Sequence, residues 1–341
     1  MIRARRISFP AALRAELVEF ELDERLEGRQ VLVEAEYSIV SAGTEGAHFS
    51  GLEAQHPGAR NFAYPRPTTG YGHLGRILAV GPEVTDLRPG DRVLTFSPHA
   101  SHWKWDSGRF AVRIPEEADG RRAVFTRMAG VAITALRKSS VQAGDSVVVI
   151  GLGLVGNFAA QLFQLAGARV LGLDVSPRRL ERAQQCGIAH VGNPTERSAH
   201  DLVMEWTDGH GAEVVVEAIG RSDLVLEAVQ YTRRHGEVIL LGSPRALHTA
   251  EVTPMLSRIH LQGLRLIGAL EWLYPLREQE GARVTITRNY DQLLGWILAG
   301  RLVVDPLLTH LLPPARCQEA YFGLHERKDE YLGVVFDWAE H

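Results

Sequence analysis

Short apolar runs and a helical repeat of apolar positions stand out in the middle of the chain. Residues 147–150 form an unbroken apolar run whose length suits a buried strand, and apolar residues then recur at helical spacing over 154–165. Gly167 stands where that helix would end, and residues 170–173 predict a second buried strand that is followed by Asp174. The pattern predicts a strand, a tight turn, a helix and a second strand in succession.

Strands and helices alternate on both sides of this segment. The predicted helices cover residues 121–139, 178–186 and 223–232, and the predicted strands cover 213–217, 237–241 and 264–270. Such alternation is typical of a doubly wound parallel sheet, so the fold class is α/β. Ligands of these sheets bind at the carboxyl ends of the strands.

The two ends of the chain have a different pattern. Short apolar runs separated by turn residues predict a β-rich domain with strands at 30–37, 76–80, 92–95 and 110–114. A helix at 290–298 and strands at 307–312 and 332–336 follow the parallel sheet, which is already closed by its own edge strand. We therefore expect residues 1–123 and 272–341 to form one domain and residues 124–271 to form the other.

The turn after the first central strand has the spacing Gly151-x-Gly153-x-x-Gly156. Glycines at this spacing allow a tight turn, close approach of a pyrophosphate and close packing of helix on strand. The N–H groups at the start of the helix, at Leu154 and Val155, would then point at the phosphates. Between a strand and a helix, this motif predicts a dinucleotide-binding site.

The choice of nucleotide depends on the residues that follow the second strand. Asp174 can accept hydrogen bonds from both ribose hydroxyls of an adenosine and would repel a 2′-phosphate, which favours NAD. Arg178 and Arg179 follow closely, and either could meet a 2′-phosphate, so NADP is the alternative; otherwise they belong to a solvated helix face. The later turns expected around the same crevice contain Ala218, Gly220, Gly242, Ser243 and Gly268.

Composition excludes several classes of protein. The chain has 341 residues, 45% of them hydrophobic and 23% charged, as in globular proteins of two domains. A net charge of −4 without a basic stripe argues against nucleic-acid binding. The longest apolar stretch contains glycines and Asn157, which argues against a membrane span, and without a signal-peptide pattern we expect a cytoplasmic protein. Two distant cysteines, Cys186 and Cys317, exclude a disulfide framework and a cysteine-built structural zinc site.

The order of a β-rich domain, a nucleotide-binding domain and a return to the first resembles the medium-chain dehydrogenase/reductase superfamily over nearly the whole chain. The resemblance is carried by Ala42-Gly43-Thr44-Glu45, Gly70-Tyr71-Gly72-His73-Leu74-Gly75, Ala79-Val80-Gly81, Gly90-Asp91-Arg92-Val93, residues 143–151 and Leu307-Leu308-Thr309-His310. It implies a GroES-like catalytic domain with a Rossmann domain, an NAD(P)-dependent oxidoreductase of small molecules, and a homodimer formed by pairing of sheet edges around residues 264–270.

Departures from the superfamily pattern imply a reaction without zinc. Zinc-dependent members have Cys-Gly-Thr-Asp in place of Ala42-Gly43-Thr44-Glu45 and Gly-His-Glu in place of Gly70-Tyr71-Gly72, and their third ligand aligns with Arg127. Alanine, tyrosine and arginine are not a tetrahedral zinc set. Residues 97–107 replace the lobe that holds the second zinc. With Phe49-Ser50-Gly51, these elements are similar to a zinc-lacking branch that includes bacteriochlorophyllide dehydrogenases, beside sorbitol dehydrogenase-like proteins.

Hydride transfer without a metal still requires groups that handle a proton. The resemblance places Thr44 at the superfamily's proton-relay hydroxyl; otherwise it is a loop hydroxyl bonded to local backbone. Tyr71 stands where a ligand histidine would point at the substrate oxygen, or else simply packs. Arg127 could supply a cation beside Tyr71 or hold a substrate carboxylate, or be an ordinary charged residue of its helix.

Other polar residues near these motifs are weaker candidates. Glu45 is a general base or the partner of an arginine, and His73 and His48 are candidate proton shuttles. His99 and His102, three positions apart, are a metal-binding pair or belong to a surface loop. The remaining aromatic residues are expected to line the substrate cleft: Trp103, Trp105, Trp272 and Tyr274.

These observations predict hydride transfer between a nicotinamide and a small or medium polar alcohol or ketone. One alternative keeps the fold but reduces an activated C=C bond, as enoyl and quinone reductases do. The other is a nucleotide-binding redox sensor that has lost catalysis together with its metal.

Overall fold

The computed structural model describes residues 1–55 and 62–339. Contacts within the chain divide it into a first unit, Met1–Arg127 with Pro275–His341, and a second unit, Met128–Tyr274. The domain boundaries expected from the sequence stay predictions. Among the described residues, none of the helices combines the length and apolar character that crossing a bilayer requires. Both cysteines are buried, and no disulfide joins them.

The first unit begins with strands and one short helix. Its elements up to Arg127 are β1 (Ile2–Ala11), β2 (Arg14–Leu22), β3 (Gln30–Ile39), α1 (Ala42–Ser50), β4 (His73–Val80), β5 (Arg92–Thr95), β6 (His102–Asp106), β7 (Val112–Ile114), α2 (Gly120–Ala123) and the start of α3 (Thr126–Lys138), with a 3₁₀ turn at Leu52–Gln55. The single helix expected over residues 121–139 is thus two helices.

The second unit alternates strands and helices as predicted. Its elements are β8 (Ser146–Ile150), α4 (Leu154–Leu165), β9 (Arg169–Leu173), α5 (Pro177–Gln185), β10 (His190–Gly192), α6 (Ala199–Trp206), β11 (Ala212–Glu217), α7 (Ser222–Tyr231), β12 (Thr232–Leu240), α8 (Thr253–Gln262) and β13 (Arg265–Gly268), with a 3₁₀ turn at Glu271–Leu273. The strands form one parallel six-stranded sheet in the order β10-β9-β8-β11-β12-β13.

The last residues return to the first unit. They form α9 (Ile286–Leu298), β14 (Leu308–Leu312), α10 (Cys317–Glu326) and β15 (Gly333–Asp337), with 3₁₀ turns at Asp305–Leu307 and Pro314–Arg316. The sheet order β14-β15-β3-β4-β5-β7, with β6 also paired to β3, confirms that the late strands join the β-rich sheet. The α/β class is therefore confirmed.

Apolar side chains fill a separate core in each unit. Phe9, Phe49, Tyr321 and Phe336 belong to one buried cluster in the first unit. Residues of the parallel strands and the helices that cover them form the cluster of the second unit. Phe49 of α1 and Tyr321 of α10 pack against each other in the first of these clusters. This packing fixes the position of α1 and therefore of the residues at its start.

Candidate functional site

The glycine-rich turn of the second unit has the shape that a pyrophosphate requires. Gly151 has a φ of +89°, and a Cβ at Gly156 would overlap the carbonyl oxygen of Gly151, so neither position accepts a side chain without movement. A Cβ at Gly153 would meet no heavy atom within 4 Å in the described part of the chain. Within the described parts of the chain no side chain caps the start of α4, which leaves the N–H groups at Leu154 and Val155 available to an anion.

Asp174 lies next to this turn, at the end of β9. Its carboxylate accepts hydrogen bonds from the main-chain N–H of Leu152 at 2.8 Å and of Ser176 at 2.9 Å. Nη1 of Arg179 lies 3.6 Å from Oδ2 of Asp174. Arg179 therefore pairs with the carboxylate instead of belonging to a solvated face, whereas Arg178 is exposed. Each carboxylate oxygen has a second lone pair, which suits a ribose hydroxyl.

A carboxylate that the sequence did not single out holds the turn after β11. Glu217 accepts hydrogen bonds from the N–H of Ile219 and Gly220, both at 2.8 Å, and its burial raises its pKa. A Cβ at Gly242 would overlap the nitrogen of Gly220. The predicted residues of the turns after β11 and β12 therefore lie together at the carboxyl edge of the sheet: Ala218, Gly220, Gly242 and Ser243. Gly268 ends the neighbouring strand β13.

A buried carboxylate organises the first unit. Glu45 is 1% exposed, and its Oε2 accepts a hydrogen bond of 2.6 Å from the Tyr321 hydroxyl and lies 3.0 Å from Nε2 of His99. Thr69 adds a hydroxyl at 3.3 Å, and the N–H of Ser41 donates to Oε1 at 2.7 Å. Burial alone would raise the pKa of Glu45, but His99 and the hydrogen-bond donors outweigh it and the pKa is lowered.

These contacts bear on two expectations. Glu45 was predicted to be a general base or an arginine's partner; its polar partners named above are a histidine, two hydroxyls and a main-chain N–H, and a role as general base stays a prediction. His99 was expected in a surface loop, yet its side chain is fully buried. Sequence spacing could not link Glu45 to His99 because the two residues meet only when α1 packs against the sheet.

His73 also differs from its predicted role. It lies fully buried on β4, its Nε2 is 3.1 Å from the carbonyl oxygen of Ala100, and burial lowers its pKa to about 4. A neutral, enclosed imidazole is a structural group, so the structure does not support a shuttle role. His48 is half-buried on α1 and its ring lies 5.7 Å from that of Phe62.

Tyr71 and Arg127 form the most unusual contact of the first unit. The guanidinium carbon of Arg127 lies 4.5 Å from the centroid of the Tyr71 ring and 4.6 Å from that of Phe96. Nε of Arg127 donates to the carbonyl oxygen of Tyr71 at 3.0 Å, and Nη1 donates to the Tyr290 hydroxyl. Arg127 is 1% exposed, so it is neither an ordinary surface residue nor placed to hold a substrate carboxylate directly.

The remaining candidates are spread over both units. Thr44 is half-buried in the first turn of α1. The segment expected as a loop contains β6, in which Trp103 and Trp105 alternate with polar residues, and Nε1 of Trp105 donates to the carbonyl oxygen of Phe110. His102 is half-buried on the same strand; Trp272 is exposed and Tyr274 is half-buried at the end of the second unit.

The donor set of the first unit does not suit a zinc ion. Within the described residues, no group of three or more His, Cys, Asp or Glu side chains could hold a metal. The three positions that the resemblance aligns with zinc ligands carry a methyl group, a phenol and a guanidinium, and the guanidinium lies over the phenol ring. A fixed cation at this place would repel a second one.

Comparisons with known proteins show that this chain is similar to dehydrogenases. The model of the zinc-binding dehydrogenase family matches residues 155–278. D-guloside 3-dehydrogenase of Escherichia coli strain K12 is 24% identical over 343 residues, which cover 94% of this chain and 97% of that protein. Sorbitol dehydrogenase of Halalkalibacterium halodurans is 28% identical over 245 residues, 62% of this chain and 69% of that protein.

Among solved structures, galactitol-1-phosphate dehydrogenase from Escherichia coli is similar with a TM-score of 0.83 at 19% identity, covering 98% of this chain and 99% of that one. These matches support the medium-chain dehydrogenase/reductase superfamily for this chain. The chain is therefore an oxidoreductase, with the GroES-like and Rossmann folds of that superfamily. The similarity to bacteriochlorophyllide dehydrogenases stays a prediction.

Proposed function

We propose that this chain is an NAD(P)-dependent oxidoreductase that transfers a hydride between nicotinamide and the carbon of a polar alcohol or ketone without zinc. The observation that carries the proposal is the turn between β8 and α4, where Gly156 packs on the carbonyl of Gly151 and Asp174 lies beside it. These residues would hold the pyrophosphate and the adenosine ribose. The bound nicotinamide supplies or takes the hydride, which no side chain can do.

NAD is the preferred nucleotide in this proposal. The carboxylate of Asp174 would accept ribose hydroxyls and repel a 2′-phosphate. Arg179 is the nearest cation, but its guanidinium faces Oδ2 of Asp174. A 2′-phosphate would therefore have to compete with the carboxylate for this arginine.

The substrate we propose is a polyol or a sugar-derived alcohol. The relatives named above are dehydrogenases of a guloside, of sorbitol and of galactitol 1-phosphate, all of which carry several hydroxyl groups. The half-buried side chains of Thr44 and Tyr71 offer hydroxyls that can bond to such a substrate and handle its proton.

The proposal that the reaction does not require zinc depends on Arg127. Its charge lies over the ring of Tyr71, where it can stabilise negative charge on the phenol oxygen, and its Nε holds the Tyr71 main chain. Tyr71 is then the group that exchanges a proton with the substrate oxygen. Glu45 and His73 support the fold around it from buried positions.

We also propose a homodimer that pairs two copies of β13. This strand is at the edge of the parallel sheet, and Leu266 and Leu270 are 42% and 50% exposed. An exposed apolar edge strand is a template for pairing with another chain. Light scattering after gel filtration should give the mass of a dimer, and Leu266→Lys should give a monomer; a monomeric wild-type protein would refute the pairing.

One experiment tests the enzymatic proposal. The purified protein is titrated with NAD⁺, NADH and NADPH by calorimetry, and then assayed at 340 nm against a polyol and sugar-alcohol panel and an enone and quinone panel. We expect NADH to bind more tightly than NADPH and only the polyol panel to be oxidised. Turnover of enones alone would favour the C=C reductase, and tight nucleotide binding without turnover would favour a sensor.

A further inference from the structure

The hydroxyl of Ser41 meets the phenol of Tyr71. Ser41 precedes α1 at the N-cap position and is 7% exposed, and the Tyr71 hydroxyl donates a hydrogen bond to its Oγ. Ser41 could not be selected from the sequence, because it lies outside the residues that align with metal ligands or with the relay threonine.

The Ser41 hydroxyl does not cap helix α1, as the hydroxyl of an N-cap serine usually does. An N-cap serine usually accepts a hydrogen bond from a main-chain N–H of the first helical turn. Ser41 makes no such side-chain bond to α1. Its backbone is instead held by Glu45, whose Oε1 accepts from the Ser41 N–H at 2.7 Å, and its Oγ is left to Tyr71.

The partner of Ser41 is held just as firmly. A Cβ at Gly72 would lie 2.9 Å from Cγ of Arg127, and one at Gly70 would overlap the ring of His99. The two glycines therefore let the main chain on either side of Tyr71 pass close to His99 and to Arg127. The guanidinium of Arg127 lies over the phenol ring, and Ser41 lies at its hydroxyl.

We propose that Ser41 and Tyr71 form a two-hydroxyl relay for the substrate proton, which rests on the proposed function. Because Tyr71 donates to Ser41, its oxygen has lone pairs for a substrate hydroxyl. In alcohol oxidation the substrate O–H breaks and its proton passes to the Tyr71 oxygen. The Tyr71 proton passes to Ser41 Oγ, and the Ser41 proton passes to water. NAD(P)⁺ takes the carbon-bound hydrogen with its electron pair, so charge and atoms balance.

In this relay Tyr71 is the catalytic residue and Ser41 is a positioning residue that also carries the proton onward. Ser41→Ala should therefore lower kcat by about 10- to 100-fold and leave KM within about twofold. Ser41→Thr keeps a hydroxyl and should recover most of the lost rate. Ser50→Ala, at the other end of α1, is the matched control and should behave as wild type.

A solvent-isotope measurement separates the relay from a structural role. In mixtures of H₂O and D₂O, a relay that moves more than one proton gives a curved dependence of kcat on deuterium fraction, and Ser41→Ala should make it linear. A wild-type rate or an unchanged curve in Ser41→Ala would overturn the relay. So would equal losses in Ser41→Ala and Ser41→Thr.

A second measurement does not require activity. Carbon-13 labelling of the tyrosine rings gives a Tyr71 NMR signal, assigned by its loss in Tyr71→Phe. We expect this signal to move in Ser41→Ala and to stay in place in Ser50→Ala; an unmoved signal would refute the contact and the relay. If the signal moves but wild type oxidises no alcohol, the proposed function has failed and the hydrogen bond alone stands.

Discussion

Arg127 holds Tyr71 at two points: its guanidinium carbon lies 4.5 Å from the centre of the tyrosine ring, and its Nε donates to the tyrosine carbonyl oxygen at 3.0 Å. A buried cation–aromatic contact is worth up to about 2 kcal/mol, more than an exposed one. The contact holds a phenol and a permanent positive charge at positions that the resemblance aligns with the metal ligands of zinc-dependent members.

Removing the charge of Arg127 should impair catalysis. We expect Arg127→Met to lower kcat by about 30-fold, the factor that corresponds to about 2 kcal/mol. Arg127→Lys should recover only part of the rate because lysine lacks the planar group that stacks and donates together. Arg122→Met, which removes a surface partner of Asp305, is the control. Equal rates for Arg127→Met and the control would contradict the proposal, provided that circular dichroism shows both proteins folded.

Removing metal ions should leave the enzyme active. After dialysis against a chelator, with metal content measured by mass spectrometry, we expect the rate to stay within about twofold of its starting value. The physical reason is that the positions of the zinc ligands offer a methyl group, a phenol and a cation to a metal. Loss of activity that added Zn²⁺ restores would show that the proposal is wrong.

Asp174 should set the affinity for NADH. Hydrogen bonds to a charged group are worth about 1.5–3 kcal/mol, so Asp174→Ala should weaken NADH binding by roughly 10- to 100-fold while changing NADPH binding much less. Calorimetry with both nucleotides measures the difference. Glu181→Ala removes an exposed carboxylate of the neighbouring helix α5 and serves as the control. Parallel losses for the two nucleotides would place the ribose elsewhere.

Glu45 should be essential for stability. In Glu45→Gln an amide N–H₂ group would face donors from Ser41, Tyr321 or His99, so we expect a loss of about 3–5 kcal/mol in the free energy of unfolding. Urea titration followed by circular dichroism measures it. The exposed Glu21→Gln variant is expected to unfold like wild type. A loss below about 1 kcal/mol would mean that the carboxylate is not needed for the network.

His73 should make the folded state sensitive to acid. Its pKa is lowered by burial from an ordinary 6.5 to about 4, so between these values the unfolded chain binds a proton that the folded chain does not. The contribution of His73 is complete above pH 6.5 and is lost as pH falls toward 4, by about 3 kcal/mol in all.

The test compares His73→Gln with wild type in urea titrations from pH 7.5 to 4.5. The glutamine can still donate to the carbonyl of Ala100 but does not titrate, so its unfolding free energy should fall less steeply with acid. His260→Gln changes an exposed histidine and should keep the wild-type slope. Equal slopes for all three proteins would show that the pKa of His73 is not lowered in the folded state.

Local patterns were sufficient for the nucleotide-binding half of the protein. The predicted strand at 147–150 lies within Ser146–Ile150, and the predicted helix at 154–165 has the bounds of α4. Gly151, Gly156 and Asp174 could be found because the turn, the helix start and the next strand end are separated by only a few residues. Their geometry follows from chain connectivity and parallel pairing.

The polar groups of the first unit could not be found in that way. Glu45 and His99 are 54 positions apart, and Arg127 and Tyr71 are 56 apart. Residue type alone does not distinguish a buried arginine or histidine from an exposed one. Nor does it show whether an N-cap serine bonds to its own helix. Their burial is decided by packing of α1, β4 and α3 against distant parts of the chain.

The amino-acid sequence by itself determined the order of strands and helices, the glycine-rich turn and the absence of a zinc-ligand pattern at the three positions aligned by the resemblance, because each depends on residue type and short-range spacing. Only the tertiary structure decided that Arg127 covers the Tyr71 ring, that Ser41 meets its hydroxyl and that Glu45 and His73 are enclosed. Long-range packing determines which polar groups lose contact with water. Buried polar groups are stable only when they hydrogen-bond to other groups, so they pair with one another.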